Sequence, residues 1–248
     1  MSTPHDEVVR RSFEQQVGIF SRPDSPFAVR AETTRSWLEP LDAGMLVLDV
    51  ACGAGHAAEV AAPHVRQVVG VDLTPALLEL GAERLRSAGV DNVLLQHGSA
   101  ESLPFVDGSF DLVFCRTALH HMADPGRAVG EMARVCRPGG RVVVEDMTAP
   151  GPEVRDRFDA LHRALDPSHA RALLDEELAD LLRVRVGPLA HGQHSFSTYT
   201  FGPGVPDPVM DALRRELDGG ESTGFRPVAD GEAISVTFTN TVAHATRG

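Results

Sequence analysis

The turn Asp49-Val50-Ala51-Cys52-Gly53-Ala54-Gly55 follows an apolar run at residues 45–48, and Asp72 arrives 23 positions after Asp49. Glycines at such a turn let a ligand approach the main chain without meeting a Cβ, and Gly53 and Gly55 supply that clearance. An acid ending the next strand can accept from both hydroxyls of a ribose, so Asp72 selects a free diol. Together these residues have the chemistry of a nucleoside site. Their D-x-A-x-G-x-G order is offset from the G-x-G-x-x-G of dinucleotide binders, which argues against a nicotinamide cofactor. Further on, His120 and His121 follow a strand-like segment, and imidazole titrates near neutral pH, so either can serve as a general base. A second pair, His191 and His194, has i, i+3 spacing and no adjacent acid, a poor pattern for a metal site. No metal is expected. Cys52, Cys115 and Cys136 form no C-x-x-C pair and read as small buried hydrophobes.

These residues need elements to hold them. Strands are expected at 45–50, 67–71, 92–97, 110–115 and 141–146, alternating with helices, a pattern that implies a parallel sheet covered on both faces. The helix after the second strand has Thr74 as N-cap, Pro75 at its first position, an apolar stripe of Leu78, Ala82 and Leu85, and Gly89 just beyond its end. The helix after the fourth strand starts at Asp124-Pro125, carries Val129, Met132, Ala133 and Cys136 on one face, and stops before Pro138-Gly139-Gly140. Ahead of the sheet, Val8, Phe13, Val17 and Phe20 recur at helical spacing, Pro23 and Pro26 interrupt, and a second helix is expected at 27–38. Beyond residue 150 the reading is two helices (153–165 and 175–182) around Pro167, a short strand at 183–186, a helix at 208–217, and an alternating strand at 233–246. The organisation is therefore an N-terminal helical cap (1–42), a ligand-binding core (43–150) and a C-terminal part of the same domain (151–248) that supplies the acceptor pocket and final strands.

Composition removes several function classes. The 248 residues are 42% hydrophobic and 23% charged, with no apolar run longer than four, which leaves no membrane span or signal segment. A formal charge of −12 opposes nucleic-acid binding, which is driven by Lys and Arg releasing counterions. An odd, unpaired set of three cysteines suits a reducing cytoplasm.

Five segments in order, VLDVACGAG, VVGVDLTPALLELGAERL, HGSAESLPFVDGSFDLVFCRTALHHMADP, AVGEMARV and CRPGGRVVVEDMTAP, resemble the class I S-adenosylmethionine-dependent methyltransferases, in their ubiquinone/menaquinone-methyltransferase-like branch. The resemblance covers roughly Val47 to Met147. It implies a Rossmann-like α/β fold with a seven-stranded, mostly parallel sheet, one antiparallel strand and an N-terminal helical cap. The strand at 233–246 would be that antiparallel strand, at the edge beside the fifth. The implied cofactor is S-adenosylmethionine, leaving as S-adenosylhomocysteine. By the same resemblance Asp49 forms the floor of the site, Ala51, Gly53 and Gly55 face the methionine and ribose, Asp72 holds the ribose and Leu73 lies on the adenine. Ser99, Ala100 and Glu101 flank the adenine edge, Arg116 and Thr117 meet the methionine end, His56 shapes the pocket, and Phe13, Gln16 and Phe20 close over it. Two positions depart from the family pattern. Ser99 replaces an acid, which shifts adenine recognition toward the Ala100 amide and packing, and Ala51 replaces a glycine, which is harmless only if its φ is negative. The implied acceptor is a small molecule such as a secondary metabolite, and a homodimer is compatible with this reading. A protein that keeps the cofactor site without methyl transfer, and an NAD-linked oxidoreductase, are the other two readings.

Overall fold

The computed structural model describes residues 3–22, 25–29 and 31–248. Three helices open the chain, α1 (Pro4–Phe20), α2 (Pro26–Val29) and α3 (Ala31–Leu38), so the single helix expected at 27–38 is two short ones; Pro23 lies outside the described residues. An alternating βα region follows: β1 (Leu46–Val50), α4 (His56–Ala61), β2 (Gln67–Asp72), α5 (Pro75–Ser87), β3 (Val93–His97), β4 (Phe110–Arg116), α6 (Pro125–Val135) and β5 (Cys136–Ala149). The remainder is α7 (Pro152–Leu165), β6 (Leu173–Leu174), α8 (Asp175–Arg185), β7 (Leu189–Phe201), α9 (Asp207–Leu217), β8 (Val228–Asp230) and β9 (Ala233–Thr246).

Seven strands run β3-β2-β1-β4-β5-β9-β7, with β6 and β8 as short additions on β5 and β9. All neighbours from β3 to β5 are parallel, and β9 is antiparallel to both β5 and β7. The final strand is thus the one antiparallel member, as expected, but it lies inside the sheet and not at its edge. The edge is β7, which the sequence reading missed. The expected strand at 183–186 is also overturned: those residues finish α8, with Leu178 and Leu182 buried and Val184 turned to solvent.

Period-two alternation divides the central strands between two cores. Leu48, Val50, Val113, Cys115, Val142 and Val144 face α6 and α8, where Val129, Met132, Leu178 and Leu182 complete one layer. Val47, Leu112, Phe114 and Val143 face Ala57, Ala58 and Ala61 of α4 and Leu38 of α3. Burying each large side chain in these layers contributes about 1.5–3 kcal/mol, which fixes the strand register and with it the loops at the carboxyl ends. A third cluster joins Met147, Phe158, Val209, Leu213, Phe225 and Phe238, packing α7 and α9 under the far half of the sheet. Asp124 accepts from the Arg127 N–H at 2.9 Å and caps α6 as expected. Thr74 occupies the N-cap of α5 without a side-chain capping bond; its N–H and its side chain bond Asp72 instead. None of the helices among the described residues is long and apolar enough to cross a membrane.

Candidate functional site

The strand order reverses between β1 and β4, and ligands of open α/β sheets bind at the carboxyl end of such a switch point. A cavity of about 390 Å³ lies there, within the range of small-molecule sites. It is lined by Asp49, Ala51, Gly53, His56, Asp72, Leu73, Ser99, Ala100, Glu101, Arg116, Thr117, His120 and His121, and by Phe13, Gln16 and Phe20 of α1. Gly55 is set back from it as the left-handed N-cap of α4. One cavity therefore gathers nearly every residue selected from the sequence.

Asp72 stitches the glycine turn to α5. Its two carboxylate oxygens accept from the Gly53 N–H at 2.7 Å and the Thr74 N–H at 2.8 Å. The Thr74 side chain also bonds this carboxylate, and a carboxylate with about four acceptor sites still has capacity for the diol chemistry read from the sequence. Gly53 has φ +55°, and a Cβ there would stand 3.2 Å from Cε1 of Phe20, so the lid aromatic needs this glycine. Phe20 in turn stacks on Phe27 at 3.9 Å. His56 donates Nε2–H to the Phe20 carbonyl at 3.1 Å, tying α1 to α4; burial and the Arg84 charge push its pKa down to about 4. Cys52 is only half-buried, unlike Cys115 and Cys136.

Ala51 has φ +58°, so the condition under which alanine was harmless is not met. The left-handed region crowds its Cβ. Ala51→Gly should raise stability by roughly 0.5–1 kcal/mol, the relief of strain exceeding the added freedom of the unfolded chain; urea denaturation measures it, and a loss would mean that the Cβ is packing usefully.

Asp49 is the electrostatic anomaly. It is 1% exposed at the end of β1, and its Oδ2 has no hydrogen-bond partner. Burial, opposed by the Arg116 charge and assisted by Asp72, drives its pKa up to about 8. A buried acceptor left without a partner is costly, and a cation entering this end of the cavity would satisfy it. Arg116 donates from Nη2 to the Phe27 carbonyl at 3.0 Å, and Thr117, at φ +52°, donates from Oγ1 to Glu145 Oε2 at 2.7 Å. Ser99 Oγ accepts from the Glu101 N–H at 3.3 Å, and Glu101 Oε1 accepts from the Asp124 N–H at 3.0 Å, so the acid in this loop is committed to the backbone.

The two adjacent histidines have different surroundings. They sit in a single 3₁₀ turn, Leu119–His121, after β4. His120 is buried, with its N–H 2.9 Å from Asp146 Oδ2 and its Nδ1 2.5 Å from Asp146 Oδ1. Burial pushes Asp146 up to about 7 against the pull of the Met147 and His120 amides. His121 is held down at about 3 by burial and the charge of His120. It donates Nδ1–H to Ser168 Oγ at 2.9 Å, and Ser168 donates to Asp166 Oδ1 at 2.6 Å. Asp166 also accepts from Ser12 at 2.7 Å and Gln16 at 3.1 Å, which clamps α1 over the cavity. Burial raises the Asp166 pKa, but the Ser168 hydroxyl, the His121 charge and the Ser12 hydroxyl outweigh it and leave about 2.

The sequence reading missed the opposite wall. His162, His169, Met147, Ser197, Tyr199, Phe201, Phe238 and Asn240 close the cavity from α7, the loop that follows it, β5, β7 and β9. The available signal was His162 on the apolar stripe of Phe158, Leu161 and Leu165. His194 points elsewhere, half-exposed beside Asp175 at 3.2 Å, and the His191 side chain lies outside the described residues.

Comparison with known proteins gives the family. A family profile described as a methyltransferase domain matches residues 48–144. The uncharacterized methyltransferase YcgJ of Bacillus subtilis is 40% identical over 163 residues, covering 60% of this chain and 64% of YcgJ, just under two thirds of that relative's length. The demethylmenaquinone methyltransferase of Listeria welshimeri is 32% identical over 67% of this chain and 74% of its own. The crystal structure of YcgJ superposes with a TM-score of 0.76 at 28% identity, over 88% of this chain and 98% of that one.

Proposed function

Because the chain belongs to the class I S-adenosylmethionine-dependent methyltransferases, we propose that it moves a methyl group onto an uncharged small-molecule acceptor that gives its proton to the His120–Asp146 pair. The observation that carries this reading is one cavity with a buried carboxyl group, one of its oxygens unpartnered, at one end and a carboxylate-backed imidazole at the other.

S-adenosylmethionine supplies an electrophilic methyl group on a sulfonium sulfur, with a neutral thioether as leaving group. The residues present fit it. Asp49 Oδ2 would accept from the α-ammonium, Asp72 would accept from the ribose hydroxyls, and Leu73, Ser99 and Ala100 would bound the adenine. Arg116 and Thr117 stand at the methionine end. Gly53 keeps the main chain open there, and Phe20 and Phe13 exclude water from above. Holding two reactants in line can contribute about 7–11 kcal/mol, and a positioned base about 10²–10⁴-fold. His120 suits the base, since Asp146 on Nδ1 orients the ring and stabilises the imidazolium that forms. His121, held neutral down to about pH 3, is a positioning residue.

Incubation of the protein with methyl-labelled S-adenosylmethionine and a panel of neutral hydroxylated metabolites should transfer label to a subset of them. Saturable cofactor binding with no labelled product on any acceptor would favour the reading without methyl transfer.

A further inference from the structure

Helix α1 lies along the cavity through Val9, Phe13, Gln16 and Phe20, and its two ends are held by different forces. Among the described residues of the helix Phe20 alone is buried, packed with Ala54 and Leu77. The forward part is held by polar bonds. Ser12 Oγ and Gln16 Nε2 donate to Asp166 at 2.7 and 3.1 Å, His5 Nε2 donates to the His121 carbonyl at 2.8 Å, and the Phe13 ring stands edge-on to that of His121 at 5.0 Å. Water can replace a hydrogen bond but not an apolar contact, so the Phe20 end is fixed and the forward part releasable. The Thr3 hydroxyl accepts from the Asp6 N–H at 3.1 Å, and the Asp6 carboxylate accepts from the Thr3 N–H at 2.7 Å. That capping box keeps the 17-residue helix whole when its forward part lets go.

The releasable bonds converge on the turn that carries His120 and on residues 166–172, the loop after α7. Ser168 is 0% exposed; its Oγ lies 2.6 Å from Asp166 Oδ1 and 2.9 Å from His121 Nδ1, and its N–H donates to the same Asp166 oxygen at 2.9 Å. The Ala170 and Arg171 N–H groups donate to the His120 carbonyl at 2.8 and 3.2 Å. Asp159 Oδ1 anchors the far end of the loop, 2.7 Å from His169 Nε2 and accepting from the Ala172 N–H at 2.9 Å. Ser12, Gln16 and both Ser168 groups give the Asp166 carboxylate four hydrogen bonds, which is about its full acceptor capacity. It has none left for a ligand and acts through its neighbours.

We propose that Asp166 is a positioning residue that couples the closure of α1 to the placement of His120. With α1 down, Asp166 and Ser168 fix the His121 ring and with it the 3₁₀ turn they share; with the forward part of α1 swung away on its Phe20 end, that turn loses His5, Phe13 and the tension on Ser168 together. The base is then set only while the site is shut to water. This rests on the cavity being the methyl-transfer site.

The test uses the full chain and S-adenosylhomocysteine. Ser12→Ala cuts one bond between α1 and Asp166, favours the helix, and leaves Asp166, Ser168 and His121 in place. In surface plasmon resonance, association and dissociation of S-adenosylhomocysteine should both quicken about tenfold, the range for a hydrogen bond to a charged group, with Kd changed by less than about threefold. In protein labelled with ¹⁵N-histidine, the His121 Nδ1–H should exchange with water about tenfold faster in Ser12→Ala than in the parent, although no bond to that ring has been cut. Ser12→Thr keeps the hydroxyl and should restore both readings. Unchanged binding kinetics, a rise in dissociation alone, an unaltered His121 signal in Ser12→Ala, or no rescue by Ser12→Thr would overturn the proposal and leave the methyl-transfer reading standing. Failure of the parent protein to bind S-adenosylhomocysteine would overturn both.

Discussion

Asp49→Asn should melt at a higher temperature than the parent protein and bind S-adenosylmethionine far more weakly. The two effects share a cause. With a folded pKa of about 8 against an ordinary 3.8, Asp49 is kept protonated by the fold at pH 7, which costs stability by about 2–4 kcal/mol. The sign follows from proton counts: the folded state holds a proton that the unfolded state has released, so this contribution improves as pH falls from 8 toward 4 and is worst above 8. Asparagine is neutral at every pH and removes the cost, which for a chain of this size corresponds to roughly 5–10 °C in Tm. The same substitution removes the anion proposed to meet the cofactor's ammonium, at about 2–5 kcal/mol for a buried charge pair. In the parent protein, binding must ionise Asp49, so affinity should rise by up to about tenfold per pH unit between pH 6 and 8, with a proton released on binding. Calorimetry in buffers of different ionisation enthalpy measures that proton, and asparagine should abolish it. A destabilised variant with unchanged affinity would remove Asp49 from the cofactor site.

His120→Asn should lower kcat by about 10²–10⁴-fold while leaving cofactor affinity nearly unchanged. Asparagine can still donate to Asp146, so the turn survives while the basic nitrogen is lost. His121→Asn should cost less than about tenfold in kcat, because an imidazole with a pKa near 3 accepts no proton at neutral pH. In the parent enzyme the rate should fall on acidification through about pH 7, as Asp146, raised to about 7 by burial, takes up a proton and no longer stabilises an imidazolium on His120. Parallel losses of cofactor binding and turnover in both variants would instead make the histidines structural. Stopped-flow turnover with a responsive acceptor, beside calorimetric cofactor affinity, separates these outcomes.

The parts of this site that were legible in the sequence are those set by local chemistry. The glycine turn, Asp72 at the end of its strand and the Asp124-Pro125 helix start depend on neighbours a few residues away, and the structure assembles them as read. Other features depend on distant partners. β7 escaped notice because its polar alternation, interrupted by Gly192, becomes a strand only by pairing with β9. His162 and His169 are ordinary helix and loop residues until Asp159 and β9 close around them. The left-handed backbone of Ala51 was invisible because nothing in an alanine announces φ, and Asp49's displaced titration comes from burial that only the assembled fold supplies.

The position of β9 has a consequence for synthesis. It is translated after β7 yet lies between β7 and β5, so β7 leaves the ribosome with its one partner among the described strands still unmade. Until β9 emerges, the edge of β5 and the strand bearing Ser197, Tyr199 and Phe201 are both unpaired, and apolar surface destined for the cavity wall is open to other chains. The half of the site proposed to hold the nucleoside can thus take shape during elongation, whereas the half proposed to hold the acceptor waits for β9 to enter the sheet.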